Sequence, residues 1–354
     1  MKIYIRSAAC ISPQPTFNQE HLLAEPANTT GNRLKAIEPD YKAYIDAKLI
    51  RRMSRIIRLG VSAALQCLRD AQLELPDAII TGTAYGCLED TGVFLTRIME
   101  QEEEMLSPTA FIQSTHNTVG AQIALTLQCH NYNNTFTQQG HSFESALLDA
   151  MLLLQEEEIN NALVGSADEL TDLSFDILNR FGLYRKQADD NLRLFSHTSK
   201  GTIAGEGTAF FTLTNNANPQ DIAELQGLDT FYTQPDFNSI EVHIQSFLAK
   251  HALNKDNIDL ILLGRNGDVQ NDKIYGHLQQ SIFNDIPAAN YKHLCGEYPT
   301  AISFAMWLGA QLLKDGSIPK VISVQPQINT SIKRVLIYNH YQHQYHTLIL
   351  LGKC

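Results

Sequence analysis

Residues 134–154 read NTFTQQGHSFESALLDAMLLL, and the reading of this stretch decides the fold. It opens as a buried strand, passes through a tight polar turn and continues as an apolar helix. Phe143, Ala146, Leu147, Ala150, Met151 and Leu154 recur at i, i+3, i+4, i+7, i+8 and i+11, a face wide enough for burial rather than a surface position. The buried start of such a helix leaves unpaired N–H groups near Gly140 to Phe143, a natural anion or oxyanion site. A turn of this kind is where an enzyme sets a nucleophile at a helix N-terminus. Here it offers Gln138, Gln139, Gly140, His141 and Ser142, and no cysteine.

Outward from this stretch, strand-like apolar runs alternate with amphipathic segments of helix length, which points to α/β layering. KIYIRSAACI (2–11) is a strand, and 51–72 is a helix with Ile57, Val61, Ala64 and Leu68 on one face. DAIITGTAYG (77–86) is the next strand. A helix follows near Asn117, with Val119, Ile123 and Leu127 at four-residue spacing. INNALVGSADE (159–169) is a strand ending in a polar turn, and GTIAGEGTAFFTLT (201–214) reads as a hairpin. Turn formers gather in NNANPQ (215–220), where we divide the chain into halves 1–217 and 218–354. The second half repeats the alternation, ending in paired strands RVLIYNHY and QYHTLILL, which suggests an internal structural duplication.

The chain has 354 residues, 44% hydrophobic and 18% charged, enough for a substantial core. No run of 18 apolar residues suggests a membrane span, and the N-terminal apolar segment is a strand rather than a signal peptide. The formal charge of -11 argues against nucleic acid as a partner. Arg51, Arg52, Arg55 and Arg58 form one local basic patch, read as a solvated face or subunit contact. Glu102 to Glu104 are read likewise. Six scattered cysteines without a Cys-x-x-Cys pair fit reduced thiols in a cytoplasmic protein and give no zinc framework.

The order of these segments resembles the β-ketoacyl synthase family. RRMSRIIRLGVSAALQCLRDAQL looks like that family's arginine-led N-terminal helix, VGSADE (164–169) like its Gly-Gly-Ala-Glu turn, and GTIAGEGTAFFTLT like its Gly-x-Gly-Ala-Gly segment. HLCGEYPTAISFAMWLGAQLL resembles the Lys-x-x-x-Gly-His segment and the helix after it. The resemblance runs over nearly the whole chain. It implies an α/β, thiolase-like fold of two similar halves with layered sheets and buried helices.

Active members condense an acyl group with malonyl on an acyl carrier protein, using a cysteine at a helix N-terminus and two histidines. The thiolate carries the acyl chain as a thioester, and the imidazoles stabilise the enolate oxygen. Counting back from Gly165 without a gap puts Gly140 at the cysteine position; one inserted residue puts Gln139 there. The first histidine falls on Gly264, and the second on Glu297, with Lys292 and Gly296 retained. The Gly-Phe-Gly-Gly loop corresponds to NHYQHQYH (339–346), where Asn339 matches and the glycines do not, so the loop's backbone freedom is expected to be lost.

This pattern is similar to the chain-length factors of type II polyketide and polyene systems, which lack the cysteine and pair with an active ketosynthase. The resemblance implies a degenerate subunit in fatty acid, polyketide or aryl polyene biosynthesis, working as a heterodimer. It implies no cofactor of its own and a carrier protein bound mainly to the partner. Phe136, Gln138, Gln139 and Phe143 are then expected near the acyl pocket or the subunit interface. Two other readings stay open. One is an active condensing enzyme or acyltransferase with another nucleophile, for which Ser142, Cys129 and Cys295 are the candidates, although a serine at a helix start is usually a cap. The other is a scaffold that binds the carrier protein. His340, His343 and His346 are read as polar strand residues rather than metal ligands, and His116 and His197 as structural.

Overall fold

The computed structural model describes residues 2–19, 21–186, 189–197, 199–232, 236–324 and 331–354. Among them are strands β1 (Ile3–Ile11), β2 (Thr30–Gly31), β3 (Ala78–Gly82), β4 (Tyr132–Phe136), β5 (Asn161–Asp168) and β6 (Asp189–Asp190). They are followed by β7 (Gly207–Thr214), β8 (Ala223–Tyr232), β9 (Leu260–Leu263), β10 (Ala288–Asn290), β11 (Arg334–Tyr341) and β12 (Tyr345–Gly352). The helices are α1 (Ala47–Ile50), α2 (Arg55–Asp70), α3 (Leu88–Glu100), α4 (Pro108–Gln113), α5 (Thr118–Leu127) and α6 (Ser142–Gln155). The remainder are α7 (Asp172–Arg180), α8 (Phe237–Lys250), α9 (Lys273–Gln280), α10 (Lys292–Cys295) and α11 (Ile302–Asp315).

Ten strands follow one another in the order β10-β9-β11-β12-β8-β1-β7-β5-β3-β4, while β2 and β6 pair separately. The order β4-β3-β5-β7-β1 of the first half recurs as β10-β9-β11-β12-β8 in the second. In both, the first three strands are parallel and the fourth turns antiparallel. The two sets meet along the antiparallel pair β1 and β8.

Three apolar clusters define the layers. One holds α6 and α11 together with strand residues of both halves, including Ile80, Val164, Leu262 and Ile337. A second packs α2 and α5 against the other face of the first sheet, and a third packs α8 and α9 against the other face of the second. The central helices have sheet on both sides, which is why α11 is buried at nearly every position from Ile302 to Leu313. The six apolar residues of α6 singled out by periodicity are all buried. This is the expected layering of two similar α/β halves around buried helices.

Two local expectations are corrected. The strand before the turn is not buried: β4 is the last strand of the sheet, and its residues are exposed or half-exposed because nothing pairs with its outer edge among the described residues. Residues 201–214 are not a hairpin. Only 207–214 form a strand, which lies between β1 and β5, while 201–206 cross the second half through a bridge from Ala204 to Glu297. The arginine patch is also divided. Arg55 is bound to Glu38 and Glu206, and Arg58 lies over the Tyr41 ring, leaving Arg51 and Arg52 exposed.

Candidate functional site

The site lies where the turn after β4 meets the β11–β12 hairpin and the loop around Glu297. Gln139 begins a short 3-10 turn with φ of 49°, a left-handed conformation that a residue with a Cβ adopts only when its surroundings impose it. Ser142 supplies much of that constraint. Its hydroxyl accepts from the Gln138 N–H at 2.8 Å and donates to the Gln139 carbonyl at 2.9 Å. It therefore ties down the turn rather than capping a helical N–H. The N–H of His141 donates to the Gln138 carbonyl and that of Ser142 to Gln139, so part of the expected anion site is already used.

The elbow is fastened to the hairpin from both sides. The Tyr345 hydroxyl donates to Gln139 Oε1 at 2.7 Å, and His141 Nε2 donates to the His346 carbonyl at 3.1 Å. Between them Gly140 is pressed so closely that a Cβ there would lie 2.8 Å from Cβ of Tyr345 and 2.9 Å from Cβ of Tyr341. Glycine is required for this approach. Gln138 and Gln139 are exposed, and Phe136 is half-buried against the central core. Phe143 points the other way, fully buried against Phe211, so the structure does not bring it together with the other three.

Below the hairpin, Lys292 and Glu297 form a buried ion pair, with Lys292 Nζ 2.8 Å from each carboxylate oxygen. Asn266 donates to Glu297 Oε2 at 2.6 Å, and Lys292 also reaches the His340 carbonyl at 3.5 Å. Burial pushes the Glu297 carboxyl above its usual range, opposed by Lys292 and the Asn266 bond. Gly264 lies nearby, and a Cβ there would overlap Oδ1 of Asn339, which itself accepts from the Tyr291 hydroxyl at 3.0 Å. The space of a side chain at 264 is thus occupied by Asn339.

Two residues of this region had been missed. Tyr341 packs its Cβ against Gly140, and Tyr85, Glu297 and Tyr184 act electrostatically on its buried phenol. Glu144, in the first turn of α6, is fully buried; Thr347 donates to its Oε1 at 2.6 Å, and its Oε2 has no partner among the described residues. Burial pushes its carboxyl up to about 8. An acid inside the apolar face of residues 143–154 was the available signal for Glu144. Tyr341 gave none, because its contacts are with residues far away in sequence.

The histidines of the hairpin are committed to one another and to the backbone. His340 Nδ1 accepts from the His343 N–H at 3.3 Å and Nε2 donates to the Asn271 carbonyl at 2.9 Å. His346 Nδ1 accepts from the Tyr338 hydroxyl at 3.0 Å and Nε2 donates to the His343 carbonyl at 3.3 Å. No group of three or more His, Cys, Asp or Glu is placed to hold a metal ion among the described residues. The loop without glycines still takes left-handed turns, at Gln342 and His343, with φ of 52° and 57°. Cys129 lies under the Pro76 carbonyl at the far end of β4. Cys295 is fully buried, and burial raises its thiol well above the usual value, which leaves it unactivated.

Comparison with known proteins bears on the fold. Residues 27–180 match the family described as β-ketoacyl synthase, N-terminal domain. No curated protein matches the sequence. The structure is similar to the ishigamide ketosynthase/chain length factor, with TM-score 0.81 and 18% identity over 100% of this chain and 99% of that one. It is also similar to a β-ketoacyl synthase from Burkholderia phymatum STM815, with TM-score 0.80 and 14% identity over 100% and 99% of the two chains. A third similar structure is the ketosynthase ApeO in complex with its chain length factor ApeC from Xenorhabdus doucetiae, with TM-score 0.77 and 16% identity over 100% and 98%. The fold is therefore the thiolase-like fold of ketosynthases and chain length factors, and the resemblance read from the sequence holds for the fold and the N-terminal domain.

Proposed function

We propose that this chain is a catalytically degenerate, ketosynthase-like subunit of the chain-length-factor type. It would partner an active β-ketoacyl synthase in fatty acid, polyketide or aryl polyene biosynthesis. The observation that carries this reading is the buried Lys292–Glu297–Asn266 knot. A carboxylate clamped by a lysine and an amide repels a developing enolate oxygen, whereas condensation needs a neutral or cationic donor aimed at it. The rest of the site agrees. Gln139 at the strained tip of the elbow is the vacated nucleophile position, in preference to Gly140, and the room beside Gly264 holds Asn339. Gln139 and Gly140 offer no group that forms a thioester.

The halves are read as 1–217 and 218–354, and the compartment as cytoplasmic; no described helix is long and apolar enough to cross a membrane. Phe136, Gln138 and Gln139 are assigned to the wall facing the partner and its acyl chain, with Phe143 supporting them from the core. The exposed edge of β4 supports a subunit contact there. The carrier protein would bind mainly to the partner, and no cofactor of this chain's own is invoked. Ser142 as a replacement nucleophile is disfavoured by its bonds to Gln138 and Gln139.

The test is intact mass after incubation with acyl-loaded carrier protein, for the chain alone and with the ketosynthase encoded beside it. Acyl mass on the partner alone, with co-purification of the two, supports the reading. Acyl mass on this chain overturns it, and peptide mapping then distinguishes Ser142, Cys129 and Cys295.

A further inference from the structure

Tyr341 occupies more of the site than the loss of reactive residues requires. It ends β11, is 4% exposed, and runs from contact with Gly140 to the neighbourhood of Tyr85, Tyr184 and Glu297. Its Cβ packs on Gly140, and the Lys292 ammonium reaches the carbonyl of the preceding residue, His340, at 3.5 Å, so Tyr341 sits between the elbow and the Lys292–Glu297 pair. A group attached at the elbow would need that interval to meet residues at positions 264 and 297.

The hairpin holds the ring in place. The left-handed conformations of Gln342 and His343 are unfavourable for residues with side chains and persist where several contacts fix them. Here the Gln344 N–H donates to the Tyr341 carbonyl at 3.2 Å, and the Tyr232 hydroxyl donates to Gln344 Oε1 at 2.8 Å. His340 and His346 bind the turn through His343, and Tyr345 closes it onto Gln139. The hairpin is braced from β8, from its own strands and from the elbow.

We propose that Tyr341 is an internal plug, fixed by this hairpin in the acyl-acceptor cleft of its own chain, so that a pantetheine-borne acyl group is excluded by shape as well as by the missing nucleophile. The inference rests on reading the chain as a degenerate ketosynthase-like subunit. Its consequence is specific: restoring a thiol at the elbow does not restore access to the cleft.

The experiment uses the full chain with Cys354, the exposed thiol among its six cysteines, replaced by serine. Gln139→Cys is introduced alone and together with Tyr341→Gly. Each protein is treated with iodoacetamide, which reports exposure of the thiol alone, and with a long-chain α-bromoacyl pantetheine amide, which alkylates the same thiol but gains rate where its chain seats in the cleft, and labelling is followed by intact mass. The iodoacetamide rates should agree within about threefold, while the pantetheine probe should react about tenfold faster without the tyrosine ring, a barrier lower by about 1.4 kcal/mol. Adding p-cresol to the Tyr341→Gly protein should slow the pantetheine probe again by refilling the space. Should Tyr341→Gly fail to fold, Tyr341→Leu, which keeps apolar packing but lacks the outer ring, carries the same comparison. Equal pantetheine-probe rates with and without Tyr341 overturn the plug. Acylation of the unaltered chain by carrier protein overturns the underlying reading instead, so the two failures are distinguishable.

Discussion

At the scale of single residues, Glu297 serves the fold as one half of a buried ion pair. Its carboxylate is needed by Lys292, which is 1% exposed and whose ammonium has no other charged partner among the described residues. Glu297→Leu should therefore cost about 3–5 kcal/mol, because it strands a buried cation. Replacing both members, Lys292→Met with Glu297→Leu, should cost less than the single change. Urea unfolding midpoints at constant slope measure both, and a double variant as damaged as the single one would mean the pair's charges are not what is being read. Phe143 was expected near the acyl pocket or the subunit interface, yet Phe143→Ala would remove a core ring at about 3–5 kcal/mol, so it is a poor probe of product length. The resemblance of KHLCGE to a Lys-x-x-x-Gly-His segment singled out Lys292 and Glu297. Asn266 against Glu297, Asn339 beside Gly264 and Tyr341 against Gly140 were not legible, since these contacts cross 31, 75 and 201 residues of chain and leave no periodic trace.

At the scale of elements, the β11–β12 hairpin should make the protein sensitive to acid. Burial pushes His346 down from 6.5 to about 4, and lowers His141, His340 and His343 in the same direction. A histidine whose folded value is depressed contributes stability that is present above its unfolded value and lost as pH falls through the folded one. The window is therefore pH 6.5 down to 4, with His346 alone worth up to about 3 kcal/mol. Asp268 offsets part of this by attracting charge onto His343, while Lys273 and Lys292 add to it. Thermal midpoints from pH 7.5 to 4.5 should fall, and His346→Gln should flatten the fall. Glu144 acts with the opposite sign. Its raised carboxyl favours the folded state below the unfolded value of 4.5, and that advantage is lost as pH rises through about 8. Glu144→Gln should gain stability relative to the parent at pH 9 and not at pH 5. The paired strands of this hairpin were legible from their apolar runs; the turn was not, because glycine-free sequences rarely signal left-handed residues.

At the scale of the whole molecule, the duplicated order of strands and helices was legible because burial on both faces leaves long apolar runs, as in α6 and α11. Which strand ends the sheet was not. Asn134 to Phe136 were read as buried because an apolar pattern reports what one face touches and says nothing about a missing neighbour at the edge. That edge now carries the quaternary prediction. Leu148 and Leu152 on α6 are each 46% exposed, one turn apart, and Asp149 between them accepts from the hydroxyl of Tyr132 on β4 at 3.0 Å. An open strand edge beside an exposed leucine pair fits a partner subunit better than solvent. Leu148→Lys with Leu152→Lys should leave the isolated chain's stability within about 0.5 kcal/mol of the parent, since both side chains already face outward. The same pair should weaken association with the ketosynthase about 100-fold or more, as two desolvated lysines at the centre of an interface would. Size-exclusion chromatography of the co-expressed pair, with thermal unfolding of the chain alone, separates the two effects. A complex that survives the double lysine exchange would move the partner to another face and leave the β4 edge without the role assigned to it.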